Sequence, residues 1–459
     1  MESFSRLPDE LLLHILSFLS FKEAVRTSVL SKRWRYLYAS LSKLDLHFRQ
    51  FAFKEAGQID LMNVVDRIFF YRDRCPIDKF KFRWLKSEAL DPLRLEGWIK
   101  AVMWHGVRNL QIRFDPIELK ELLLPTSLFT SKTLVDLKLS YTGALNMESG
   151  GSGLELPAHV FLPSLKFLHL RNVTFSNVDS WNRLFSNCPV LEDLYFFFNN
   201  GRCKFTITHP KLKMLTLQCA PTSRKYGRTE IVINAPNLVY LEYIINDADS
   251  LTFVNVQSLD EADIQFSELH GRQRRYTRVA TDVMVAIKNI QTLWISGPTI
   301  RILKLFSVPI PVFHNLTHLT IHQCDTKVNE LPYLLERCKS LETLVLQDLF
   351  FWDPNAWSSV KESRFSFTFC LKKIEILIFL GKDSQMEMVK YFLEKARVLE
   401  SMEIHIPVKY EKLSKIIRRV LMLPKVSKEC NVTFFQAYTM VDGSSFCQHC
   451  LEWKVPDQG

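Results

Sequence analysis

The sequence predicts an α/β chain in two parts: a small module of three helices at the N-terminus, then a solenoid with a parallel sheet on its concave side. Two observations predict this. Residues 7–37 read as helix with more apolar surface than so short a piece can bury. From about residue 107 a short apolar motif then recurs twelve times at near-constant spacing. The expected boundaries are 1–45 for the module, 46–106 for a connecting segment and N-terminal cap, 107–369 for the repeats, 370–435 for a region continuing them, and 436–459 for a tail.

The first helix starts at Pro8, which suits a first turn, with Asp9 and Glu10 where the macrodipole favours negative charge. Leu12, Ile15, Leu16 and Leu19 fall on one face, and Leu11 and Phe18 on another. Apolar character nearly all round implies burial on two sides. Ser20 caps a second helix, with Glu23 three positions on, and Ser31 caps a third that carries Trp34. Three helices in about forty residues cannot build a large core, so the module reads either as a docking piece or as a helical cap on the next domain.

The repeat is LxxLxL. Its copies begin at Val107, Leu134, Leu165, Leu191, Leu212, Leu238, Leu259, Ile290, Leu316, Leu341, Leu371 and Leu399, with spacings of 21 to 31 residues. That period is the one of leucine-rich repeats. The last two apolar residues of each copy lie two apart, so they leave a short strand on the same side. Stacked copies bury them in one continuous core. The residue between them points the other way. Segments such as Trp181-Asn182-Arg183-Leu184-Phe185 and Leu331-Pro332-Tyr333-Leu334-Leu335 supply an opposite, partly helical wall.

Composition narrows the function. At 459 residues the chain is long enough for more than one domain, and 47% hydrophobic with 24% charged residues is globular. No segment has the roughly 18 uninterrupted apolar residues of a membrane helix. The N-terminus lacks the pattern of a signal peptide. A cytosolic or nuclear protein is expected, with its ten cysteines mostly reduced. The sequons at Asn172, Asn315 and Asn431 are then expected to carry no glycan. Cys188, Cys338, Cys219 and Cys324 sit at repeat positions as small buried residues. The net charge of +10 lies partly in clusters, Arg224, Lys225 and Arg228, then Arg272, Arg274, Arg275 and Arg278. Only Tyr226 and Tyr276 accompany them, too few rings for a nucleic-acid face, so they read as solvated loops or contacts to an acidic protein.

No catalytic constellation emerges. The residues 150–153, Gly-Gly-Ser-Gly, lack the lysine and hydroxyl of a phosphate loop. His318 and His322 have a helical metal spacing but sit on a strand. Cys447 and Cys450 form a lone C-x-x-C, without the second pair of a structural zinc. The expectation is no catalytic residue, no metal and no cofactor.

Residues 7–37 resemble an F-box: Leu7-Pro8-Asp9-Glu10-Leu11, then Ile15-Leu16-Ser17-Phe18-Leu19, then Leu30-Ser31-Lys32-Arg33-Trp34-Arg35. The resemblance implies binding to a Skp-type linker, and through it to a cullin, in an SCF ubiquitin ligase. Leu7, Pro8, Ile15, Leu16, Leu30 and Trp34 match the family's positions, some facing the linker and others the module's own core. Cys370-Leu371-Lys372-Lys373-Ile374-Glu375, Gly381 and Ala396-Arg397-Val398-Leu399-Glu400 resemble the FBD region of plant F-box proteins. Copies such as Cys188-Pro189-Val190-Leu191-Glu192 resemble the plant F-box/LRR family. The implied role is a non-catalytic substrate adaptor holding a target protein, with no nucleic acid or membrane as partner. A ligand-sensing receptor of the same architecture, or a linker-independent scaffold, are the alternatives.

The register places His169, Arg171, Tyr195, Phe197, Tyr240, Trp294, His318 and His322 at outward strand positions. Large rings facing solvent mark an interface. The stretch from His169 to His322 is therefore the expected target-binding surface, unless loops cover its rings.

Overall fold

The structure, a computed structural model, describes residues 7–47, 61–73, 75–84, 91–114, 124–141, 156–173, 178–198, 203–219, 229–245, 250–266, 273–322, 331–347, 370–407 and 413–437. Two compact units form: residues 1–238 with 254–257, and residues 239–253 with 258–459.

The first unit begins with the helices Asp9–Leu16 and Phe21–Arg26, then the 3-10 helices Thr27–Val29 and Trp34–Ser40. Ser20 and Glu23 form the expected reciprocal cap, and these hydrogen bonds hold the Glu23 carboxyl below its usual range. Ser31 does not cap through its side chain; its carbonyl accepts from the Trp34 N–H, and the third element is a tight 3-10 helix. Leu12, Leu16, Phe21, Ala24, Trp34 and Tyr38 make the small core. The module is fastened to the first turns of the solenoid. The Tyr36 and Tyr71 rings stack at 3.7 Å, and the buried Arg72 guanidinium donates to the carbonyls of Ala39, Cys75 and Pro76. Burial pushes the Arg72 pKa down to about 10, and these three acceptors offset its desolvation.

Seven parallel strands then build the first unit's sheet in the order of the chain: β1 (Lys43–His47), β2 (Lys79–Trp84), β3 (Asn109–Phe114), β4 (Asp136–Tyr141), β5 (Phe167–Arg171), β6 (Asp193–Phe198) and β8 (Met214–Cys219). On the opposite wall lie β7 (Cys203–Thr208) and β9 (Thr229–Asn234), paired in parallel. In the second unit eight parallel strands follow: β10 (Tyr240–Ile245), β12 (Glu261–Gln265), β13 (Thr292–Ser296), β14 (His318–His322), β15 (Thr343–Leu346), β16 (Lys373–Ile376), β17 (Ser401–Pro407) and β18 (Asn431–Ala437). β11 (Ser250–Asn255) connects β10 to β12.

Every copy of the motif delivers its strand in the expected register. Leu168 and Leu170, Leu194 and Phe196, and Leu319 and Ile321 all point inward and are buried. Even the degenerate copy buries Ala262 and Ile264, paired with Leu293 and Ile295. One backbone device locks the stack. In both units the carbonyl just before most strands accepts two consecutive N–H groups of the next repeat, as Arg108 does from Val135 and Asp136, and Gln291 from Thr317 and His318. A slip of one residue would turn every leucine outward.

The sheet starts earlier than residue 107. Leu41, Leu44 and Leu46, then Ile77, Phe80 and Phe82, are buried copies of the same pattern. The residues read as a connecting segment, 46–106, thus contain β2 and the helices Leu61–Tyr71 and Pro92–Trp104. On the opposite wall, helices appear where expected at Val178–Ser186 and Leu331–Leu335. Three consecutive repeats instead return through the strands β7, β9 and β11. A strand advances about 3.3 Å per residue against 1.5 Å for a helix, so the two 21-residue copies, those of β7 and β11, cross the wall without one.

Two predictions arise here. Gly381 has φ +66°, and an added Cβ would lie 2.6 Å from Ile416 Cγ1. Gly381→Ala should therefore destabilise the second unit by roughly 1–3 kcal/mol, read as a lower melting temperature. Cys188 and Cys338 occupy equivalent positions, each thiol donating to a carbonyl four residues back, of Leu184 and Leu334. Burial pushes both thiols up to about 12. In native protein they should resist alkylation while the half-buried Cys75 and Cys370 react; mass spectrometry of labelled peptides checks this.

Candidate functional site

The structure sorts the apolar residues of the N-terminal module. Leu16 is fully buried and Trp34 nearly so, because both close the core between the first helix and the last 3-10 helix. These two are therefore among the matched positions that face the module's own core, not linker contacts. Leu7 is half-buried, and Pro8 is exposed. Ile15 is 36% and Leu30 59% exposed. Four more large side chains outside the six matched positions join them: Leu11, Phe18, Leu19 and Val29, with Phe18 76% and Val29 85% exposed. Their signal was present in the near-absence of polar breaks between Leu11 and Leu19. Leu11 and Ile15 lie one turn apart on one helical face, and Phe18 and Leu19 follow in the turn after it. The Arg33 guanidinium holds this edge in place, donating to Asp9 Oδ1 at 2.9 Å and to the Leu7 carbonyl. The apolar excess read from the sequence is a surface, standing on a core too small to absorb it.

The outward residues of the sheet fall into two groups, one per unit. In the first, His169 and Tyr195 are cross-strand neighbours, as are Arg171 and Phe197. The Tyr195 hydroxyl donates to Gln218 Oε1 at 3.0 Å, and His169 Nε2 lies 3.6 Å from Asp193 Oδ2. The Arg171 guanidinium lies 5.5 Å from the Phe197 ring centroid. In the second unit the Tyr240 and Trp294 rings meet edge-on at 6.3 Å. His322 Nε2 lies 3.2 Å from Asp263 Oδ1, and Gln265 Nε2 donates to the same carboxylate at 3.2 Å. His318 is exposed, with its Nδ1 2.9 Å from the Thr317 hydroxyl.

Orientation and exposure part company here. All eight residues take the outward positions, but Tyr195 and Tyr240 are only 7% exposed and His169 is buried as well. The expectation of solvent-facing rings is corrected at these three. Parallel strands run about 4.8 Å apart, so bulky neighbours in register cover one another. Arg171 and His318 are exposed, and Phe197, Trp294 and His322 are half-buried.

The metal question has one structural counterpart. Among the described residues, Glu375, Glu403 and His405 bring their ligating atoms within 4.8 Å of one another. The Lys373 ammonium lies 2.8 Å from Glu403 Oε1 and supplies the positive charge there. His318 and His322 stand at the two ends of β14, about 13 Å apart along a strand, too far to share an ion. The pair Cys447 and Cys450, the residues 150–153, and Arg224, Lys225, Arg228 and Arg272 lie outside the described residues.

Comparison with known proteins agrees with both parts. The family model described as "At1g61320/AtMIF1, LRR domain" matches residues 75–444, and the F-box domain model matches residues 4–43. The F-box/LRR-repeat protein At3g59200 of Arabidopsis thaliana is 33% identical, over 94% of this chain and 88% of that protein. The F-box/LRR-repeat proteins At4g14096 and At5g38396, also of Arabidopsis thaliana, are 34% and 32% identical. The alignments cover 87% of both chains for the former, and 94% of this chain and 98% of that protein for the latter.

Proposed function

Since the chain belongs to the plant F-box/LRR-repeat family, we propose that it is the substrate-recognition subunit of an SCF-type cullin ubiquitin ligase. The observation that carries the reading is the exposed apolar surface of the N-terminal module. Six large side chains, Leu11, Ile15, Phe18, Leu19, Val29 and Leu30, stand open within twenty residues. A protein gains nothing by exposing so dense a set unless a partner covers it. A Skp-type linker is the partner that the F-box domain suggests, with a cullin beyond it. The sheet face presents the target, and ubiquitin transfer belongs to other subunits, to which this chain contributes proximity and orientation. The cytosol or nucleus is where such a complex would act.

Co-purification tests the reading. Tagged full-length protein should capture a Skp-type linker and a cullin from plant extract, and should bind the purified linker directly. Capture of neither would sink it and leave a linker-independent LRR scaffold.

A further inference from the structure

The parallel register of the first unit aligns one row of outward residues from six different repeats. Strand by strand from β1 to β6, this row reads His47, Arg83, Arg113, Ser140, Arg171 and Phe197, each paired in register with the next. Three arginines stand in it and no carboxylate does. We propose that this row is a docking site for an acidic, carboxylate-bearing segment of a partner protein, bound across the strands.

Three observations support this. The spacing suits an extended peptide: neighbouring strands place Arg83 and Arg113 roughly 5 Å apart and Arg113 and Arg171 roughly 10 Å apart, a span of about four extended residues. Beside the row, one carboxylate serves two cations: Asp45 bridges to Arg83 at 3.1 Å and lies 3.8 Å from Lys81. The crowding of cations is felt at Lys81. Burial holds its ammonium below the usual lysine range; Asp45 opposes this, and Lys79, Arg83 and Lys138 add to it. Finally, Arg171 is exposed beside the half-buried Phe197 ring, which steadies the guanidinium plane for the bidentate grip that arginine gives a carboxylate.

A nucleic acid fits less well. Tyr195, the large ring of the adjoining row, is buried and offers no stacking face for a base. The inference rests on the adaptor reading for the role of the partner as a target, but not for its chemistry.

The test uses the full chain and a fluorescein-labelled peptide of alternating Glu and Ser, followed by fluorescence anisotropy. The wild type should bind this peptide, less tightly as salt rises. It should not bind the same peptide with Lys in place of Glu. Arg113→Gln with Arg171→Gln should weaken binding at least about tenfold at an unchanged melting temperature. The inference is overturned if the wild type does not bind the acidic peptide, if the double variant binds it equally well, or if a short DNA duplex binds more tightly. Linker capture keeps the two readings apart. The arginine variant should still capture the linker, and Ile15→Asp with Leu30→Asp should lose the linker yet hold the peptide.

Discussion

Ile15→Asp with Leu30→Asp should abolish linker capture while leaving the chain folded. Both side chains are exposed, so the substitutions cost the folded monomer little. In a complex that covers them, each would lose roughly 1.5–3 kcal/mol of apolar burial. Together that is a factor of about 10²–10⁴ in affinity, before the cost of desolvating two carboxylates. Leu16→Asp makes the informative contrast. Leu16 is fully buried against the small core, and an unpaired charge there costs several kcal/mol, so this change should unfold the module. Circular dichroism and protease resistance separate the two outcomes. If the exposed pair kept full linker binding, the exposed surface would not be the docking face.

The second large effect is expected in the solenoid core. Phe196 is fully buried, with its ring centroid 4.0 Å from Trp181, 5.4 Å from Phe205 and 6.2 Å from Phe185. It joins three elements, the strand β6, the helix Val178–Ser186 and the strand β7 of the opposite wall. Phe196→Ala should cost about 3–5 kcal/mol, since the cavity lies between repeats that cannot readily collapse onto it. A solenoid has only nearest-neighbour interfaces, so no distant contact makes good the loss. The melting temperature should fall by on the order of ten degrees, with new protease cleavage near β6. Phe197→Ala is the matched control. It lies one residue on, faces outward half-buried, and should shift the melting temperature by only a small fraction of that. Equal shifts for both would contradict the register.

Particular residues show why some features were legible in the sequence. Leu319 and Ile321 could be placed because a strand needs only its own alternation to decide which side is buried. The strands β1 and β2 carried the same signal in Leu41, Leu44 and Leu46 and in Ile77, Phe80 and Phe82, but at wider spacing and with phenylalanine in the second copy. Arg83 and Arg113 were passed over for a different reason. Each is one basic residue in an ordinary strand, and they become a group only when strands about 30 residues apart pair in register.

The sequence by itself determined the period of the solenoid, the inward leucines, and an N-terminal module too apolar for its size. Those properties are local: they follow from residue spacing along one strand or one helix. Only the tertiary structure decided which apolar side chains of the module stay outside, that Tyr195 and Tyr240 are covered although they face outward, and that three arginines share a row. Exposure and charge density at a point depend on what the neighbouring repeat places there, some 5 Å away in space but 20 to 30 residues away in the chain.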